Sequence, residues 1–179
     1  MTPPTVARWI EDGKLPSFTT GGGHRRVWPR DLIVFLRKHN VPVPPELAAA
    51  GATRILVVDD DATVRRLIVR VITGAFPESE MHEAVDGFEA GQKIFALLPF
   101  LVVIDLRLPG LDGLKVCRII RADERTRSAR ILAVSGHDPE GSRDQVLEAG
   151  GDDFLAKPFR TEELVGKVRA LLAVAGGER

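Results

Sequence analysis

From residue 54 onward, five short runs rich in β-branched apolar residues alternate with segments of helical periodicity, and few folds accommodate that order. Successive βα units predict a parallel sheet with the helices as crossovers on its faces. The expected strands are 55–58, 80–85, 100–104, 131–134 and 154–156, mostly unbroken apolar runs because both faces of such a sheet are covered; the second is the weakest pattern. The first helix of this region places Val64, Leu67, Ile68, Val71 and Ile72 on one face and arginines on the other, with Gly74 as its expected end. The last helix should open near Thr161, carry Glu162 and Glu163 in its first turn, and bury Leu164, Val168, Leu171 and Leu172 before Gly176 and Gly177.

Open sheets of this kind bind ligands beyond the carboxyl ends of their strands. Asp59, Asp60 and Asp61 follow the first strand, Asp105 the third, Ser135 the fourth and Lys157 the fifth, so all are expected at one edge. Carboxylates converging there repel one another unless a cation sits among them, and an all-carboxylate donor set suits Mg²⁺. Adding a lysine and a hydroxyl supplies what phosphoryl transfer needs, with Asp105 as the attacking carboxylate. Asp61 with Thr63, and Asp112, read as helix caps, and His137 as a loop residue near the site. Cys117, the single cysteine, sits among Val116, Ile119 and Ile120 and reads as buried packing.

These residues resemble the receiver domains of two-component response regulators. Leu-Val-Val-Asp59-Asp60-Asp61 is similar to the family's acidic pair, which implies Asp59 and Asp60 as metal-binding residues, Asp60 directly. The stretch from Asp105 through Arg107, Pro109 and Asp112 to Gly113 resembles the phosphoacceptor loop, which implies that Arg107 lends its backbone carbonyl to the metal. Ser135-Gly136 matches the switch hydroxyl, and Phe154-Leu-Ala-Lys157-Pro158 the lysine strand, with Phe154 at the switch-aromatic position and the Lys-Pro bond usually cis. The resemblance implies an α/β, flavodoxin-like, doubly wound five-stranded parallel sheet of order 2-1-3-4-5 over residues 54–174. It further implies that the domain is no enzyme beyond catalysing its own phosphorylation and dephosphorylation.

Ahead of it, residues 1–50 carry seven Lys/Arg and four Asp/Glu, net +3, against net −3 for the remainder, so the two parts are expected to meet different partners. A helix over 2–13 with Val6, Trp9 and Ile10 on one face, a glycine-rich hairpin tipped by His24, Arg25 and Arg26, and a helix over 31–39 packing Leu32, Phe35 and Leu36 are expected. Val-Ala-Arg-Trp-Ile-Glu-Asp-Gly-Lys-Leu-Pro followed by Gly-Gly-His-Arg-Arg resembles the winged-helix DNA-binding modules of the MerR and excisionase type. That implies a small α+β module over 1–40, lacking the family's first helix, in which Thr5, Arg8, His24, Arg25 and Arg26 contact DNA. Residues 41–53, rich in proline and alanine, read as the linker.

With 44% apolar residues the chain can bury a core, and it shows neither a membrane-length apolar run nor a signal-peptide pattern. The expectation is a cytoplasmic response regulator with its DNA-binding module in front of the receiver. A sensor histidine kinase is its expected phosphodonor and Mg²⁺ its cofactor, with homodimerisation on phosphorylation. Its rivals are a phosphorylation-controlled protein adaptor and a phosphate sink without output.

Overall fold

The structure is a computed structural model that describes residues 3–19, 23–27, 29–44, 47, 51, 53–110, 112–136 and 139–173. The chain separates into two compact units, Met1–Ala52 and Thr53–Arg179. His137, Trp28, residues 20–22, much of the 41–53 stretch and the glycines at 176 and 177 lie outside the described residues. No helix among the described residues is long and apolar enough to cross a membrane.

In the first unit, α1 (Pro3–Glu11) is followed by the two-residue strands β1 (Phe18–Thr19) and β2 (Arg25–Arg26), paired antiparallel, and by α2 (Pro29–Lys38). Helix α1 stops where Gly13 takes φ +67°, a left-handed conformation open to glycine, and the Gly13 and Lys14 amides close back on the Ile10 and Trp9 carbonyls. Leu15, Ile33, Phe35 and Leu36 are buried, while Val6, Trp9 and Ile10 are half-buried. Trp9 packs on Phe35 with ring centroids 4.7 Å apart. Ile33 rather than Leu32 takes the buried place beside Phe35 and Leu36, and Leu32 is half-buried.

The second unit alternates β3 (Thr53–Val58), α3 (Ala62–Ala75), β4 (Ser79–Ala84), α4 (Gly87–Leu97), β5 (Leu101–Asp105), α5 (Gly113–Ala122), β6 (Arg130–Ser135), α6 (Pro139–Glu148), β7 (Asp153–Ala156) and α7 (Thr161–Ala173). The five strands are all parallel in the order β4-β3-β5-β6-β7, which is the expected order 2-1-3-4-5. Side chains alternate across the sheet into two apolar layers. Leu56, Val58, Val102, Ile104 and Ile131 pack with Ile94, Val116, Cys117 and Ile120 of α4 and α5. Ile55, Val57, Leu101, Val103 and Leu132 pack with Ile68, Ile72, Leu164 and Val168 of α3 and α7. Full burial of each such side chain contributes about 2 kcal/mol, so the central strands anchor the fold.

Two expectations about α3 need correcting. Gly74 does not end the helix, which runs to Ala75 and is closed by Phe76, whose amide donates to the Ile72 carbonyl and whose ring packs against the α3–α7 layer. The stop comes from Pro77, which disfavours helical backbone in the residue before it and has no amide to donate. Nor do all of its arginines face solvent: the Arg65 side chain keeps only 13% of its exposure.

Candidate functional site

The register brings the strand ends to one edge: Val58 pairs with Ala84 and Ile104, Asp105 with Val134, and Ser135 with Ala156. Beyond that edge the three carboxylates meet. Ligand atoms of Asp59, Asp60 and Asp105 all lie within 4.8 Å of one another; Asp59 and Asp105 are buried and Asp60 is exposed.

Asp59 continues the line of β3 and is held at every polar atom. Its amide donates to the Ala84 carbonyl at 3.2 Å, and its carbonyl accepts from Arg65 at 2.8 Å. Its two carboxylate oxygens accept from the Asp61 amide at 2.9 Å and from Lys157 Nζ at 2.7 Å. Asp105, the last residue of β5, accepts from the Arg107 amide at 2.9 Å on one oxygen and from Lys157 Nζ at 2.5 Å on the other. Lys157 therefore bridges a carboxylate just beyond β3 and one at the end of the adjacent β5, itself following β7 at the cis bond to Pro158.

The electrostatics follow from that burial. Desolvation pushes the Asp59 carboxyl above its ordinary value, and the Lys157 hydrogen bond and charge offset this only in part. For Lys157 burial acts to lower the pKa, but hydrogen bonds to Asp105 and Asp59 outweigh it and the ammonium is held above its ordinary value. Asp61 caps α3 as expected, accepting from the Thr63 and Val64 amides, which hold its carboxyl below the ordinary range. Asp112 caps α5 through the Leu114 amide. Burial pushes the Cys117 thiol up to about 12, so it stays protonated, as its packing role requires.

Asp60, Arg107, Ser135 and Ser142 line a cleft of about 700 Å³, together with Leu106, Pro109, Asp112 and Lys115. Ser135 is buried at the end of β6. Phe154 on β7 is buried against Leu106, Ala133 and Val146. Gly113 is fixed by space: a Cβ there would lie 2.8 Å from the Leu106 Cα and closer still to the Asp105 carbonyl oxygen. The residues fit a divalent cation, because three hard carboxylate oxygens on one edge carry an excess of negative charge that a single lysine does not balance.

The residues singled out for DNA belong to the other unit. Arg8 lies exposed on α1, and His24, Arg25 and Arg26 are exposed at and beside β2. Thr5 lies within α1.

Arg65 went unnoticed among the arginines of the first helix. Its signal is present, because residues 65, 68 and 72 are spaced i, i+3, i+7 and so share the stripe that buries Ile68 and Ile72.

Residues 55–169 match the family described as the response regulator receiver domain. The chain is 37% identical over 119 residues to the DNA-binding dual master transcriptional regulator RpaA of Synechocystis sp., covering 66% of this chain and 48% of that protein. It is 43% identical over 119 residues to the response regulator MprA of Mycobacterium sp. strain KMS, covering 66% of this chain and 50% of that one. It thus spans about half the length of the curated relatives it matches. A crystal structure of a putative response regulator from Chloroflexus aurantiacus superposes with a TM-score of 0.64 at 37% identity, covering 68% of this chain and 98% of the other. With its strand order, its edge-on acidic cluster and these relatives in agreement, the chain belongs to the response regulator receiver domain family.

Proposed function

We propose that this protein is a two-component response regulator that is phosphorylated on Asp105 by a sensor histidine kinase in a Mg²⁺-dependent reaction, and that phosphorylation controls DNA binding by the first unit. The observation that carries the reading is the Lys157 bridge between Asp59 and Asp105 inside the three-carboxylate cluster. A half-buried cation sits on the carboxylate at the end of β5 and a buried hydroxyl ends the neighbouring β6, which is the equipment an in-line phosphoryl transfer uses.

In this reading Asp59, Asp60, Asp105 and the Arg107 backbone carbonyl hold the Mg²⁺, which supplies charge neutralisation at the phosphoryl oxygens. An oxygen of Asp105 attacks phosphorus as the bond to the kinase imidazole breaks, and the imidazole leaves with a proton. Lys157 and the Ser135 hydroxyl then hold product oxygens. Engagement of Ser135 draws β6 toward the acyl phosphate and changes the packing around Phe154, which alters the α6–β7–α7 surface. A phosphorylated homodimer formed there would pair two first units on two DNA half-sites.

Support for DNA as the output target comes from the exposed Arg8, His24, Arg25 and Arg26 together with Thr5, and from the net charge of +3 on residues 1–50. The relative RpaA is described as DNA-binding. We place the functional division as a DNA-binding module at 1–40, a linker at 41–53 and the receiver at 54–174, working in the cytoplasm.

The test is fluorescence anisotropy of the chain on DNA from its own promoter, at several salt concentrations, with and without Mg²⁺ and beryllofluoride. Specific, salt-steep binding that changes with the phosphoryl mimic, and fails to change in Asp105→Ala, is the expected result. Absence of specific binding in every state would instead make the receiver a phosphorylation-controlled adaptor or phosphate sink.

A further inference from the structure

The Asp59 backbone is gripped from both sides, and one of the two grips comes from a side chain outside the acidic cluster. The Arg65 guanidinium donates through one terminal nitrogen to the Asp59 carbonyl at 2.8 Å and through Nε to Glu83 Oε2 at 2.8 Å. Glu83 lies on β4 beside Val57, one position short of the Ala84 carbonyl that receives the Asp59 amide. The Glu83 carbonyl in turn accepts from Lys93 on α4, which also pairs with Glu89. The guanidinium thus ties the first turn of α3 to β4 across the start of the acidic loop.

The Asp59 carbonyl belongs to the peptide plane that joins Asp59 to Asp60. Rotation of that plane would swing Asp60, the exposed carboxylate of the three. Holding the carbonyl therefore holds the direction in which the third carboxylate leaves the backbone. A guanidinium suits the task because its planar fork meets two acceptors at a fixed angle, whereas an ammonium is a single point of charge.

We propose that Arg65 is a positioning residue for divalent-cation binding, acting through the Asp59 carbonyl to set the orientation of Asp60 and itself steadied by Glu83. The inference rests on the reading of Asp59, Asp60 and Asp105 as the Mg²⁺ site. It adds a residue outside the metal's own donors on which affinity depends, as outer partners of metal ligands commonly do.

Isothermal titration of the full chain with MgCl₂ tests it, with thermal unfolding of each metal-free variant alongside. Wild type should bind and Asp60→Asn should not. Arg65→Ala is expected to weaken Mg²⁺ binding about ten-fold, with Arg65→Lys only partly restoring it. Glu83→Gln should act in the same direction, and the Arg65→Ala/Glu83→Gln double variant should be no weaker than Arg65→Ala alone, since both remove one linkage. Arg66→Ala, an exposed neighbour on the same helix, should match wild type. If Arg65→Ala does not fold, the Arg65→Lys and Glu83→Gln variants carry the comparison. A folded Arg65 variant that binds Mg²⁺ as tightly as wild type, or fully additive losses in the double variant, overturns the role of Arg65 while leaving the site intact. Failure of wild type to bind Mg²⁺ overturns the site and the inference together.

Discussion

Lys157 Nζ lies 2.5 Å from Asp105 Oδ2, so a cation is already seated on the carboxylate proposed to receive the phosphoryl group. The same nitrogen reaches Asp59 at 2.7 Å. Removing it leaves two buried carboxylates facing each other and takes one donor from the place where phosphoryl charge would develop. Lys157→Ala is expected to lower the rate of Asp105 phosphorylation by about 100-fold. Phosphotransfer from a small-molecule phosphodonor, followed on an acid-labile phosphoprotein gel, measures it; a rate near that of wild type would remove Lys157 from the chemistry.

Acid and Mg²⁺ should compete at Asp59. Its folded-state pKa is raised, chiefly by burial, so the folded chain holds a proton there more tightly than the unfolded chain. The contribution to stability is present below the ordinary carboxylate value of 3.8 and is lost as pH rises through the elevated folded value. Above that value the ionised carboxylate faces Asp105, a repulsion that a bound divalent cation relieves. Lys157, also raised, loses its contribution only in the alkaline range and does not confuse the acid limb. The increase in Tm given by millimolar Mg²⁺ is therefore expected to be larger near neutral pH than near about pH 4. Equal shifts at both would contradict the assignment.

Gly113 opens α5 directly against the loop that follows Asp105, and its amide donates to the Leu106 carbonyl at 3.1 Å. A methyl group there would meet backbone on the Asp105 and Leu106 side, which cannot swing away as a side-chain tip would. Gly113→Ala should cost about 1–3 kcal/mol in urea unfolding and should also weaken beryllofluoride binding, visible by ¹⁹F NMR. Unchanged values in both measurements would mean that the helix start shifts freely.

Asp152 holds the chain leading into β7. Its side chain, 4% exposed, accepts from Arg121 at 2.6 Å, from Arg130 at 3.1 Å and from the Ile131 amide at 2.8 Å. Arg121 also donates to the Gly150, Arg127 and Ala129 carbonyls, so the pair staples α5, β6 and the approach to β7 together. Truncating one partner of a buried network leaves the others uncompensated, and Asp152→Ala is expected to lower stability by about 3 kcal/mol. Urea denaturation reads this as a fall in midpoint at constant slope, and Asp152→Asn should lose less.

The five strands were legible because parallel sheets covered on both faces demand nearly continuous apolar runs, and 55–58, 100–104 and 131–134 have little else. Strand β4 was the weakest pattern for a physical reason: it stands at the sheet edge, where Glu80, His82 and Glu83 are tolerated, and its place comes from pairing with β3. The acidic residues, Lys157 and Ser135 could be gathered beforehand because strand ends in this architecture share an edge. Arg65 could not be gathered by type, since an arginine in an amphipathic helix suggests solvent; only its phase with Ile68 and Ile72 separates it from Arg66 and Arg70. The end of α3 was misplaced because glycine marks a stop only when the chain turns left-handed there, and Gly74 keeps helical backbone while Pro77 does the terminating.

The Lys157 bridge joins positions separated by 98 residues to Asp59 and by 52 to Asp105. Contacts of such long range close long loops, whose entropy the packed sheet must offset. A nascent chain on the ribosome that has delivered Asp59 and Asp105 but not β7 holds the nucleophile without its lysine. Under the proposed function, a fragment ending there would present the acceptor aspartate yet take up phosphoryl groups far more slowly than the whole second unit.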